Sequence, residues 1–204
     1  FNYSCFIIPG VFSVILGYIC MKTLDKYSRS KMKLKHGMMI SSIAWMWACI
    51  VGGVVISLAT GTDFLNGIFE STSALTGTGI TMFDNVEILP HSILFFRAFE
   101  QWVGGLGVVV MVIGVLTRPG TATAKLYQSE AREERLKPSV KTTLKKTIEI
   151  YLIYTIVGII LYHLAGMPTF DSICNTFCMI ATGGMSVKNA NIGYYHNDLI
   201  YLIS

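Results

Sequence analysis

Four apolar stretches, residues 5–21, 38–59, 92–116 and 147–165, are each long enough to cross the hydrocarbon core of a bilayer as a helix, which takes about 17 to 25 residues. A fifth opens at Leu199 and is apolar to Ile203. This pattern narrows the fold sharply, because a chain in lipid must satisfy its backbone polar groups internally, and long unbroken apolar runs do so as α-helices. The composition agrees: 52% of the 204 residues are hydrophobic, only 14% are charged, and mean hydropathy is positive. The expected class is an all-α polytopic membrane protein. The chain opens on Phe1 and ends inside an apolar run, as expected of a piece of a longer protein. No basic region precedes the run from Phe6 to Met21 and a Lys-rich segment follows it, which favours a membrane helix over a cleaved signal.

Charge placement gives the expected orientation. Lys22, Lys26, Arg29, Lys31, Lys33 and Lys35 lie between the first and second apolar runs. Arg118, Lys125, Arg132, Arg135, Lys137, Lys141, Lys145 and Lys146 lie between the third and fourth. These two segments hold 14 of the 16 Lys and Arg residues, so the positive-inside rule puts both in the cytoplasm. The opposite connections carry Asp63, Glu70, Asp84, Glu87, Asp171 and Asp198 and then face outward. The formal net charge of +4 reports topology and attraction to anionic lipid, and calls for no nucleic acid. The segment from Arg118 to Lys146, which also holds Glu130, Glu133 and Glu134, is expected to dock a cytoplasmic regulator or to lie solvated near anionic lipid. The five cysteines sit in apolar runs and read as reduced packing residues, Cys174 and Cys178 included.

The outward stretches are not ordinary loops. Each begins with a piece too short to span, Phe64 to Leu75 and Phe170 to Ile180, and runs into Gly and Thr: Thr76-Gly77-Thr78-Gly79 and Ala181-Thr182-Gly183-Gly184. A shift of 105 residues superposes the two, together with the spanning helices before them. Irregular backbone at membrane depth is tolerated only where it is buried in protein or lines a watery cavity, so a repeated helix, pore loop, helix unit points to a pore. A dehydrated cation needs several hard oxygens, and successive carbonyls share a direction only at unusual dihedral angles; hence Gly77, Gly79, Gly183 and Gly184 are expected to supply them. The short helices aim the negative ends of their dipoles at these loops. Asp63 and Asp171 read as caps of those helices, and the alternative is a share in drawing cations to the mouth. Inside the third run, Arg97 is costly in lipid; Glu100, three residues on, offers a local ion pair, and the alternative is that Arg97 pins the pore helix from behind. Gly104, Gly105 and Gly107 read as close helix contacts, and Trp45, Trp47 and Trp102 as packing or interface residues. Paired carboxylates, a His cluster or a nucleophile with its base are missing from the spanning runs, so the sequence gives no ground for an enzyme.

The run Phe69-Glu70-Ser71-Thr72-Ser73-Ala74-Leu75-Thr76-Gly77-Thr78-Gly79 continues through Leu89-Pro90-His91 to Gln101-Trp102-Val103-Gly104-Gly105-Leu106-Gly107. Together with Ile180-Ala181-Thr182-Gly183-Gly184-Met185-Ser186 and Asn191-Ile192-Gly193-Tyr194-Tyr195, it resembles the TrkH/Ktr family of potassium transporters over nearly the whole chain. The resemblance implies potassium uptake across the cytoplasmic membrane through a carbonyl-lined filter, with potassium as transported substrate and no cofactor. It also implies a pseudo-fourfold pore of four such repeats, in a homodimer that binds a cytoplasmic nucleotide-binding regulatory subunit. Residues 1–36 would then be an introductory helix and basic loop, 37–117 the first repeat, 118–146 a cytoplasmic linker and 147–204 most of the second repeat. Thr76 to Gly79 and Ala181 to Gly184 would line the filter, with Gly79 and Gly184 as the family's filter glycines. Gly77 departs from the family pattern, where Thr or a bulkier residue is common. A sodium-permeable relative and a secondary transporter with broken helices are the competing readings; the second would want helix N-termini at the midplane.

Overall fold

The computed structural model describes residues 3–24, 34–116 and 140–204, and among these there are helices and turns but no strand. The long helices are α1 (Ser4–Leu24), α2 (Leu34–Thr60), α4 (His91–Leu116) and α5 (Val140–Leu164). Two shorter ones, α3 (Phe64–Leu75) and α6 (Thr169–Ile180), fill the stretches between them, and α7 (Asp198–Ile203) is the last element. All four long helices contain a stretch apolar enough to cross a membrane. Their outer surfaces carry the apolar side chains that a soluble helix would bury: Ile7, Val14, Ile43, Ile153 and Leu164 are all more than half exposed.

The helix bounds follow from local chemistry. Asp63 stands at the N-cap of α3 and its carboxylate accepts the Leu65 N–H at 3.1 Å. At the start of α6, Pro168 occupies the cap position and no side chain bonds there. The capping role expected of Asp171 is therefore corrected: it lies in the first turn of α6, and its carboxylate takes the Tyr195 hydroxyl at 2.7 Å instead. Burial, and then this bond, push the Tyr195 hydroxyl above its ordinary pKa. The fourth long helix begins at Val140 rather than 147, so Lys145 and Lys146 ride on its first turns, where Lys146 pairs with Glu149 at 3.3 Å. Most of the two basic segments, residues 25–33 and 117–139, lie outside the described residues, and with them the expected regulator-docking stretch.

Packing follows the repeat. α3 folds back against α2 and α4, α6 folds back against α5 and α4, and α1 lies along α2. One core joins the two units, running through Ala74, Ile93, Leu94 and Ala98 of the first and Cys174, Cys178, Met185 and Val187 of the second. The cysteines thus pack as small apolar residues, in the free form. An aromatic stack of Phe95, Phe99, Trp102 and Phe177 lines the same seam, and the Trp102 indole donates to Thr155 of α5 at 3.0 Å. α4 is consequently the element common to both halves.

Candidate cation-coordinating loops

Both short helices end in the same backbone motif. In the first, the Gly77 N–H bonds the Ala74 carbonyl at 3.1 Å and the Thr78 N–H reaches back to Ser73 at 3.0 Å. In the second, Thr182 bonds Met179 at 2.9 Å and Gly183 reaches Cys178 at 2.9 Å. These are the paired bonds of a Schellman cap, and every partner is displaced by 105 residues from its counterpart. The dihedral signs repeat as well: Thr76 and Ala181 are right-handed helical caps, Gly77 and Thr182 have φ of 72° and 54°, and Gly79 and Gly184 have φ of 75° and 78°. Alternating handedness along four residues is what turns successive carbonyls to one side of a strand.

One expectation changes here. The fourth left-handed position belongs to Thr182 and not to Gly183. A β-branched residue there is strained by about 1–2 kcal/mol. The Thr182 hydroxyl also donates to the Ala181 carbonyl at 2.7 Å. Gly183 is glycine for a steric reason, because a Cβ at that position would collide with the side chain of Gln101. Gly79 combines both demands, since its φ is positive and an added Cβ would strike the Gly183 carbonyl. The two loops are therefore in direct backbone contact at Gly79 and Gly183.

Behind the loops lies a buried polar layer. Glu70 of α3 is fully buried; one of its carboxylate oxygens takes the Arg97 guanidinium at 2.5 Å and the Thr81 hydroxyl at 2.8 Å, and the other takes the Met82 N–H at 2.9 Å. Glu100, the local partner suggested by helical spacing, instead takes the Ser71 hydroxyl at 2.6 Å, so Arg97 does pin the short helix from behind. In the second unit Asn175 stands 105 residues after Glu70 and takes the hydroxyl of Ser186, which stands 105 residues after Thr81, at 3.1 Å. The same tie, short helix to the segment leaving the loop, is made twice: once with a paired charge and once with a neutral amide.

α4 holds both loops at close range. A Cβ on Gly104 would strike the Leu75 carbonyl, and one on Gly105 would come within 2.9 Å of the Ala181 side chain, which accounts for adjacent glycines where one helix meets the ends of two others. Gly107 leaves room for Trp45. Gln101 accepts the Met185 N–H at 3.2 Å, just beyond the second loop. At the outer ends Asn189 accepts from Val86 N–H at 2.8 Å, its own N–H donates to Glu87 at 3.2 Å, and its amide donates to Asn85 at 2.8 Å. All eight expected loop residues thus fall in two adjacent, equivalent turns. Sequence reasoning missed the positioning roles of Glu70, Thr81, Gln101, Asn175, Ser186 and Asn189. A register of 105 residues, carried beyond the glycines, pairs Glu70 with Asn175 and Thr81 with Ser186.

Comparison with known proteins places these features in context. A family model described as TrkH, cation transport protein, matches residues 7–204. An uncharacterized cation transporter of Methanocaldococcus jannaschii is 42% identical over 200 residues, covering 97% of this chain and 41% of that protein. The Trk system potassium uptake protein TrkG of Escherichia coli is 33% identical over 88% of this chain and 38% of its own length. The crystal structure of the potassium transporter TrkH from Vibrio parahaemolyticus superposes with a TM-score of 0.73 at 33% identity, covering 86% of this chain and 35% of that one. The chain thus spans about two fifths of the length of the curated relatives it matches.

Proposed function

The chain belongs to the TrkH family of cation transport proteins, and from that premise we propose that it supplies the first part of a potassium uptake pore. The carbonyls of Thr76 to Gly79 and Ala181 to Gly184 face one axis and replace the hydration shell of a dehydrated potassium ion. The observation that carries this reading is the recurrence, 105 residues apart, of the same cap and the same alternation of dihedral sign. Two helix C-termini pointing at the loops support a cation rather than an anion. The proposal includes the repeat bounds 37–117 and 147–204, the flanking segments 1–36 and 118–146, a homodimer, and a cytoplasmic nucleotide-binding partner.

The test uses the full-length protein in cells that lack other potassium uptake systems, with uptake of potassium, rubidium and sodium compared at matched expression. Gly184→Ser adds a side chain at φ 78° where no atom lies within 4 Å, so its strain is dihedral, about 1–2 kcal/mol. It is expected to alter ion preference while reaching the membrane normally. Gly79→Ser strains the dihedral and also meets Gly183, so its effect is expected to be larger. Wild-type affinity and ion preference in both variants would remove these glycines from the filter.

A further inference from the structure

One face of α4 supports the segments that leave both loops, and it does so through unlike groups. Arg97 and Gln101 are four residues apart and therefore share that face. Arg97 holds Glu70, and Glu70 in turn holds the residues that follow the first loop, through the Thr81 hydroxyl and the Met82 N–H. Gln101 holds the residue that follows the second loop, through the Met185 N–H, and its side chain fills the space that a Cβ on Gly183 would need. Arg97 and Gln101 are almost fully buried, at 2% and 0% exposure, so neither serves solvent or lipid. The second unit has its own short-helix tie, Asn175 to Ser186, and this one carries no ion pair. The cation on α4 thus serves one loop and the amide serves the other.

We propose that Arg97 and Gln101 are positioning residues that set the spacing of the two loops from a single helix, and that ion preference depends on this shared support. The proposal rests on the filter reading above. Each side chain is tied at one terminal atom, Arg97 to the Glu70 carboxylate and the Gln101 carbonyl oxygen to the Met185 N–H, while Arg97 Nε and Gln101 Nε2 have no partner among the described residues; a coordination shell held to within about 0.5 Å depends on such ties. Moving α4 relative to either short helix changes the gap between Gly79 and Gly183, where the loops touch. Neither residue contacts the ion; each acts through a backbone amide or a carboxylate.

Removing Arg97 or Glu70 alone would leave a buried charge without its partner and threaten folding. The test therefore uses Thr81→Val, which keeps the ion pair and the side-chain shape but removes the hydroxyl, and Gln101→Met, which keeps the length but removes the acceptor. Should Gln101→Met not reach the membrane, Gln101→Asn replaces it and withdraws the acceptor by one methylene. The full-length protein is assayed for uptake of potassium against sodium and rubidium, with surface level and thermal midpoint measured in parallel. The expected result is a change of roughly threefold or more in the potassium-to-sodium preference at unchanged surface level. Wild-type preference in both variants, while Gly184→Ser shifts it, would overturn the positioning proposal and leave the filter reading standing. Wild-type preference in Gly184→Ser and Gly79→Ser as well would overturn both.

Discussion

Gly77 and Thr182 occupy the same left-handed cap in the two units, and only one of them is glycine. The comparison is an internal experiment on what that position tolerates. A Cβ on Gly77 would meet only the Ala181 carbonyl, at 3.7 Å, so the cost expected of Gly77→Thr is chiefly dihedral. It is expected to lower stability by about 1–2 kcal/mol, and the converse Thr182→Gly to recover part of the same strain. Thermal melting of the purified full-length protein in detergent checks both directions; a Gly77→Thr variant that fails to fold would mean that the two caps are not equivalent. Position 183 contrasts with this, because there the obstruction is the Gln101 side chain rather than the backbone angle. From sequence, Gly183 and Gly184 look interchangeable. What separates them is a neighbour 82 residues away in the chain, which no local pattern encodes.

At the level of helices, much was legible. The α3 limits, Phe64 and Leu75, match the sequence reading because a capping Asp precedes them and Thr-Gly follows, while α6 begins one residue earlier than expected, after a Pro. The apolar run opens at 147, seven residues after α5 begins, since Lys141, Lys145 and Lys146 look like loop when scored by polarity, although lysine is a good helix former. The partner of Arg97 is not legible in the sequence because spacing along one helix shows who is near in sequence, whereas Glu70 comes from another element. The paired glycines of α4 were read as close contacts, and the structure identifies the surfaces they meet as Leu75 and Ala181. Gly104→Ala should therefore push α4 off the end of α3, at a cost of about 1–3 kcal/mol. Lower surface expression and a depressed melting point are expected. An unchanged melting point would show that the helices separate without penalty.

Across the whole molecule, orientation rests on charges that lie mainly in residues 25–33 and 117–139. The expectation is that Lys31 and Arg132 are cytoplasmic while Asn85 and Asn191 face outward. Single-cysteine labelling of intact cells, after replacement of the native cysteines, should modify positions 85 and 191 with an impermeant reagent and spare 31 and 132. Labelling at 132 but not at 85 would invert the protein. On the proposed reading a cytoplasmic regulator docks on the segment from Arg118 to Lys146, and neutralising Arg132 and Arg135 should then weaken its retention in a salt-sensitive way; unchanged retention would leave a solvated segment near anionic lipid. The interlock of Asn189 with Asn85, Val86 and Glu87 joins residues about a hundred positions apart. During synthesis at about 5–20 residues per second, the first loop is made roughly 5–20 s before Gly183 and Asn189. For that interval Gly79 has no neighbouring loop to lean on. The contact between Gly79 and Gly183 is thus one that the order of synthesis leaves until last: the first loop is complete in sequence well before the surface it rests on.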